Sequence, residues 1–219
     1  MSAKRLNLPD TASVAQAREN GKLHAPSAAR NVDAITDVIR DFIPATGKAL
    51  EIASGTGEHI VRFAAAFPDV TWQATDVDPD RLTSIAAWRA EANLPNIAAP
   101  ILLDATTSGW ASAHAGQDLI ILANLLHLIS AAEAATVIAE SVKALKPAGV
   151  FMIYGPFLRG TEFASDGDRR FHESLSTQDP EIGYKSFEWV QTLHEDAGLT
   201  IENPISMPAN NLILVARKR

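Results

Sequence analysis

The chain of 219 residues contains no cysteine. That absence excludes disulfides, thiolate nucleophiles and Cys-ligated zinc together. No apolar run approaches the length of a membrane span. Met1-Ser2-Ala3-Lys4-Arg5 leads into polar residues, without the apolar core of a signal peptide. A cytoplasmic protein without a membrane partner is the expectation. Basic residues are in deficit: 19 Lys and Arg against 26 Asp and Glu leave a net charge of −7. Nucleic-acid binders usually carry the opposite balance. The nearest approach to a basic patch, Arg159, Arg169 and Arg170, is interleaved with Asp166 and Asp168 and reads as a solvated loop. There are no internal repeats and no low-complexity tract. The length and a hydrophobic content of 47% suit one globular domain with a sizeable core.

Residues 1–25 are polar and mixed, and are expected to form a mobile arm, or one that a ligand orders. A helix is predicted over 28–42, with Ser27 as its N-cap and Pro44 and Gly47 closing it. Strands at 49–53, 71–75, 99–103, 118–123 and 150–154 alternate with helices at 57–67, 79–92 and 130–145. Asp78 and Pro79 suit the N-cap and first position of the helix at 79–92. The run Asp118-Leu119-Ile120-Ile121-Leu122-Ala123 fits a central parallel strand covered on both faces. Lys146-Pro147-Ala148-Gly149 reads as a turn. Residues 155–185 lose all clean periodicity, hold one short helix near 168–176, and read as a lid-like insertion. A last helix over 187–197 ends at Gly198, and strands near 200–206 and 211–216 flank a turn at Pro208-Ala209-Asn210. Residues 26–219 are therefore read as a single α/β domain: a doubly wound, mostly parallel sheet with an antiparallel edge.

Ligands of such sheets bind at the carboxyl ends of the strands, near the switch point. Several candidates converge there. Glu51-Ile52-Ala53-Ser54-Gly55-Thr56-Gly57 reads as a strand end and a glycine turn that opens a helix. Glycine allows positive φ and leaves no Cβ in the way of a ligand. Asp76 ends the second strand about 20 residues on, where a carboxylate accepts from ribose hydroxyls; Val77 adjoins it. Asp104 ends the third strand, positioned for an adenine amine, with Ala105 offering backbone contact. Asn124 ends the fourth. For Asp76 and Asp104 a simple capping role competes with the ligand role. A nicotinamide dinucleotide also needs ribose contacts, but its fingerprint requires a third glycine where Ile60 stands, and Glu51 and Glu58 would oppose a pyrophosphate. S-adenosylmethionine fits better. It has no phosphate, and a carboxylate near the turn offsets its ammonium and sulfonium.

At these residues the chain resembles class I S-adenosylmethionine-dependent methyltransferases, with Ala53 in place of the usual first glycine. It resembles more closely the methyltransferase-like protein 26 family, long known as a domain of unknown function. The closer resemblance rests on Ser27-Ala28-Ala29-Arg30-Asn31, Glu51 to His59, Asp76 with Asp78, Ala87-Trp88, Asn96-Ile97, Leu103-Asp104, Asn124 with His127, Tyr154-Gly155-Pro156-Phe157 and Pro208-Ala209-Asn210-Asn211. It covers nearly the whole chain. It implies the seven-stranded Rossmann-like methyltransferase fold, with an antiparallel terminal strand, and S-adenosylmethionine as cofactor. It implies no particular substrate.

Methyl transfer from a sulfonium requires the nucleophile, methyl and sulfur in line, sheltered from water. A base matters when the nucleophile is a hydroxyl or an ammonium. Asn124-Leu125-Leu126-His127 lacks the two prolines and the aromatic residue that base-flipping and amide methylators place here, so a small-molecule acceptor is expected. His127 is either the general base or a helix-start histidine satisfied by backbone. Tyr154 either orients the acceptor or fills the core edge. Arg30 either pairs with the methionine carboxylate or lies on a helix surface. Asn210 either meets a ligand or stabilises its turn. His172 and His194 read as ordinary surface or helix residues, and Trp110 and His114 as packing. No metal ligation is expected. A cofactor-binding module without its own chemistry is the alternative function, and an NAD-dependent oxidoreductase a weaker one.

Overall fold

The computed structural model describes residues 15–219. The expected arm therefore lies partly outside the described residues, and its remainder is not an unstructured tail. Strands β1 (Gln16–Ala17) and β2 (Leu23–His24) pair as a short antiparallel ribbon. Leu23 anchors the ribbon. Its N–H donates to Ser84 Oγ at 2.7 Å, and its carbonyl accepts the Trp88 indole N–H at 2.9 Å. Lys22 adds an ion pair to Glu91 and lies 4.6 Å over the Trp88 ring.

Helix α1 (Pro26–Arg40) starts two residues earlier than the sequence suggests. Ala25 is its N-cap, Pro26 supplies the preset φ of a first helical position, and Ser27 lies inside the helix. An alternation then follows: β3 (Gly47–Ile52), α2 (Glu58–Ala66), β4 (Val70–Asp76), α3 (Pro79–Ala92) and β5 (Ile101–Leu102). Strand β6 (Gln117–Ala123), α4 (Ala131–Ala144) and β7 (Leu145–Gly155) complete the parallel part. Local chemistry sets several of these boundaries. Asp78 accepts Asp80 N–H at the start of α3, and Ser130 with Glu133 forms a capping box on α4. The expected turn at 146–149 is absorbed into the first residues of β7.

The remaining elements are α5 (Asp166–Gln178), α6 (Phe187–Asp196), β8 (Leu199–Ile201), β9 (Ile205–Ser206) and β10 (Leu212–Lys218). The main sheet runs β5-β4-β3-β6-β7-β10-β8, with β9 also paired to β10. The expected single strand at 200–206 is broken around Pro204, which has no N–H to give to a ladder. The antiparallel strand is also not at an edge. β10 lies between β7 and β8 and pairs antiparallel with both.

Alternating residues send the two sheet faces into two cores. Leu50, Ile52, Ile120, Leu122, Phe151 and Ile153 pack with α4 and α6. Ala49, Trp72, Leu119, Ile121, Met152 and Val215 pack with α1, α2 and α3. Parallel strands covered on both faces read as near-continuous apolar runs, which is why β6 was legible from its sequence. Because β4 flanks β3 on one side and β6 on the other, the chain reverses direction of travel across the sheet at β3. This is where a crevice forms at the carboxyl ends.

Candidate active site

The turn after β3 is held by its neighbour strand. Ser54 N–H donates to Thr75 O at 2.8 Å, and Ser54 Oγ accepts Thr75 N–H at 3.2 Å. Ala53, Gly55 and Gly57 all have left-handed backbone, with φ of 52, 60 and 94°. The two glycines answer different demands. A Cβ on Gly57 would lie 2.8 Å from Ile85 Cα, so glycine here lets α2 approach α3. A Cβ on Gly55 would meet nothing closer than 4.0 Å; the space beside it is cavity. Ala53 holds a conformation that costs a non-glycine residue about 1–2 kcal/mol, a local strain at the turn.

Asp76 completes this end. Its Oδ2 accepts Gly55 N–H at 2.9 Å and its Oδ1 accepts Asp78 N–H at 3.0 Å. Burial raises its pKa above the usual carboxylate value, opposed by those two N–H groups and by the Arg81 charge. Glu58 has turned the other way. Its carboxylate takes Ala25 N–H and the His24 ring, both at 2.7 Å, and so fixes the entry to α1.

Above the carboxyl ends lies a cavity of about 740 Å³, within the range of roughly 300–1,000 Å³ usual for ligand clefts. Ala53, Ser54, Gly55 and Asp76 line one end. Asn124, Leu125 and His127 line the middle, and Phe171 and Tyr184 the far end. Arg30 from α1, Arg81 from α3 and Arg170 from α5 supply positive charge. Asn124 has φ of 57°, a second strained residue at the cavity.

His127 sits in a single helical turn after β6, 6% exposed. Phe171 and Tyr184 meet its ring edge-on, with centroids 5.7 and 6.0 Å away. Burial, aided by the Lys185 charge, lowers its pKa to about 3, so the imidazole is neutral at ordinary pH. The ring nitrogens carry no hydrogen bond to another described residue. The expectation of an unperturbed histidine is thereby corrected, because desolvation disfavours the charged form.

The insertion is more structured than its sequence implied. Ser165 caps α5, and the Tyr184 hydroxyl donates to Asp168 Oδ1 at 3.1 Å. Asn210 Nδ2 reaches the other carboxylate oxygen at 3.1 Å. Asp168 thus joins the insertion to the turn between β9 and β10. His172 accepts Tyr184 N–H at 3.0 Å, so it is part of this joint rather than an idle surface residue. His194 is fully buried, edge-on to Phe151.

Of the residues the sequence singled out, Arg30, Ala53, Ser54, Gly55, Asp76, Asn124 and His127 line the cavity. Glu51, Gly57, Val77, Asp104, Ala105 and Tyr154 stand outside its lining. Asp104 is exposed and caps its own turn, accepting from Thr106 N–H at 3.0 Å. The Ala105 carbonyl is taken by the Trp110 indole at 3.1 Å. Gly57 serves the helix contact. Val77 is 45% exposed beside Asp76. Tyr154 is buried against Asn31, and burial raises its pKa. Glu51 is 2% exposed, and its Oε2 has no partner among the described residues. Sequence reasoning gave no role to Arg81, Asp168, Phe171 or Tyr184. The last three lie in the aperiodic stretch, where no local pattern marks a side chain that faces a cavity.

Solved structures share this architecture. An O-methyltransferase family protein from Burkholderia thailandensis superposes with a TM-score of 0.74 at 17% identity, over 88% of this chain and 57% of that one. Mitomycin 7-O-methyltransferase gives 0.75 at 14% identity, over 89% and 55%. An O-methyltransferase family 2 protein from Planctomyces limnophilus, in complex with apigenin, gives 0.73 at 18% identity, over 88% and 58%. The chain spans a little over half the length of these proteins, and at such identities they establish the Rossmann-like methyltransferase fold alone. Residues 22–218 match the family described as "Protein of unknown function (DUF938)", and the chain belongs to that family.

Proposed function

We propose that the protein is an S-adenosylmethionine-dependent methyltransferase acting on a small-molecule acceptor. The observation that carries this reading is that the left-handed β3 turn and Asp76 line one end of the cavity together, with the buried, half-unpartnered Glu51 just outside that lining. The residues fit the cofactor. Gly55 leaves open space, Asp76 offers two oriented oxygens to ribose hydroxyls, and Val77 presents an apolar face for a base. Glu51, outside the lining with one oxygen unpartnered, suits an ammonium through a bridging water, and Arg30, exposed and without an ion pair among the described residues, suits a carboxylate. Asp104 and Ala105 are not needed for this fit. The resemblance to the methyltransferase-like protein 26 family and the small-molecule methyltransferases among the structural neighbours support the same reading.

Bound S-adenosylmethionine supplies an activated methyl group. The chain's own part is to hold an acceptor in line and to keep water out. Leu125, Leu128, Pro156, Phe171 and Tyr184 provide apolar walls for that purpose. Neutral His127 accepts the acceptor's proton at a ring nitrogen. A hydroxyl becomes strongly acidic as it is alkylated, so a weakly basic imidazole suffices. The cavity continues past Asn124 to Tyr184, leaving room for a second molecule. That space supports an enzyme over a binding module. Ile60 is fully buried in the core under α2, which removes the glycine a dinucleotide would want there.

Native mass spectrometry of the purified protein tests this reading. An added mass matching S-adenosylmethionine or S-adenosylhomocysteine is expected; a nicotinamide dinucleotide in its place would overturn it.

A further inference from the structure

Four polar side chains from four elements meet beneath the cavity on the α1 side. Glu51 comes from β3, His59 from α2, Asn31 from α1 and Tyr154 from β7. All four are buried, at 2, 7, 6 and 3% exposure. His59 also lines the cavity. Its Nε2 and Asn31 Oδ1 are hydrogen-bonded at 2.7 Å, and the Asn31 side chain lies beside the Tyr154 hydroxyl. Its Nδ1 faces Glu51 Oε1 at 3.6 Å, beyond hydrogen-bond range. Glu51 Oε2 has no partner among the described residues.

A buried carboxylate in this condition is an incomplete arrangement. Desolvation of an ion is repaid only by close partners that satisfy its oxygens. Here one oxygen has a distant imidazole and the other has nothing. A ligand cation, or its bridging water, supplies the missing partner. Arg30 is the residue next to Asn31, so the His59–Asn31 bond also fixes the rotation of the α1 turn that carries the guanidinium. His59 stacks on Phe63, with ring centroids 5.5 Å apart, which limits the orientations open to the imidazole.

We propose that His59 and Asn31 are positioning residues of a two-point clamp for the α-amino-acid end of the ligand. In this clamp Glu51 meets the ammonium through a bridging water, Arg30 meets the carboxylate, and the His59–Asn31 hydrogen bond keeps the two in register. The inference rests on the cofactor reading above and adds to it the residues that hold the clamp together.

Calorimetric titration with two probes tests it. S-adenosylhomocysteine carries the amino-acid end; 5′-methylthioadenosine lacks it. The wild-type protein is expected to prefer S-adenosylhomocysteine. His59→Ala and Asn31→Ala should each reduce that preference ~10-fold, the scale of one lost charge-assisted contact, while 5′-methylthioadenosine affinity stays within about twofold. His59→Gln, which keeps a donor, should restore part of the preference. Glu51→Gln is nearly isosteric, so it carries the test if the alanine variants fold poorly, and it should abolish most of the preference. Equal loss for both probes, or no loss of preference, would overturn the clamp and leave the cofactor reading standing. Failure of wild-type protein to bind either probe would overturn both.

Discussion

Asp76 at the tip of β4 accepts the backbone N–H of Gly55 at 2.9 Å, so β4 holds the turn that follows β3. Asp76 also lines the cavity, so one side chain both builds the cradle and is placed to meet a ligand in it. Asp76→Ala is therefore expected to weaken S-adenosylmethionine binding by about 1.5–3 kcal/mol, the value of hydrogen bonds to a charged acceptor. The raised pKa of Asp76 adds a pH dependence. Protonation removes acceptor capacity, so affinity should start to fall at a higher pH than an ordinary aspartate would dictate. Titration calorimetry between neutral and mildly acidic pH measures both effects.

The two glycines of the turn should separate binding from folding. Gly57→Ala forces a methyl against the Ile85 backbone at a left-handed φ. A loss of about 2–4 kcal/mol in folding stability is expected from overpacking and strain together. Gly55→Ala has room for its methyl and should cost only about 1 kcal/mol of stability. That methyl enters the cradle, however, so ligand affinity should suffer more than stability. Chemical denaturation beside ligand titration distinguishes the two. A Gly57 variant of normal stability would contradict the assigned packing role.

His127→Ala is expected to lower turnover ~10²–10⁴-fold, the usual contribution of a general base, with cofactor affinity nearly unchanged. The wild-type pH–rate profile should show no limb near 6.5 that belongs to this residue. Its folded pKa of about 3 keeps the ring neutral throughout that range. A limb near 6.5 that vanishes in His127→Ala would show that the imidazole titrates as an exposed histidine does.

Acid stability follows from two buried histidines. His127 and His194 are held at about 3 and about 4, below the 6.5 of an unfolded chain. Between these values the unfolded chain binds more protons than the folded one. The stabilisation is complete above pH 6.5 and is lost as pH falls toward the folded values, at ~1.4 kcal/mol per pH unit for each group. Both ring nitrogens of His194 are without a partner among the described residues. His194→Leu should therefore leave stability at pH 7.5 little changed or improved, and reduce the acid slope by one proton. Denaturation midpoints across pH 4.5–7.5 check this; an unchanged slope would place His194 in contact with water.

Where chain chemistry is local, the sequence was a good guide. Asp78 and Pro79 mark the start of α3 because a cap and a preset φ act within one turn. The glycine turn and the carboxyl-end residues Asp76 and Asn124 were legible because strand ends in a parallel sheet converge by geometry. What depends on distant neighbours was not legible. Glu58 points at residues 24 and 25 rather than into the cradle, and that choice is made by the docked ribbon. Gly57 is required by Ile85, 28 positions away in sequence. The place of β10 inside the sheet depends on pairing with β7 and β8 at once. In the insertion the helix near 168–176 was legible and is found as α5, but Phe171 on it and Tyr184 beyond it face a cavity instead of a core, so no apolar stripe marked them as cavity residues.

The most direct test is a titration of S-adenosylmethionine into wild-type protein freed of any copurified ligand, run beside Asp76→Ala and beside NAD. One S-adenosylmethionine per chain is predicted, with binding much weakened in the variant and no heat from the dinucleotide. Absence of binding to the wild-type protein, or equal affinity in Asp76→Ala, would contradict the assignment of the cavity.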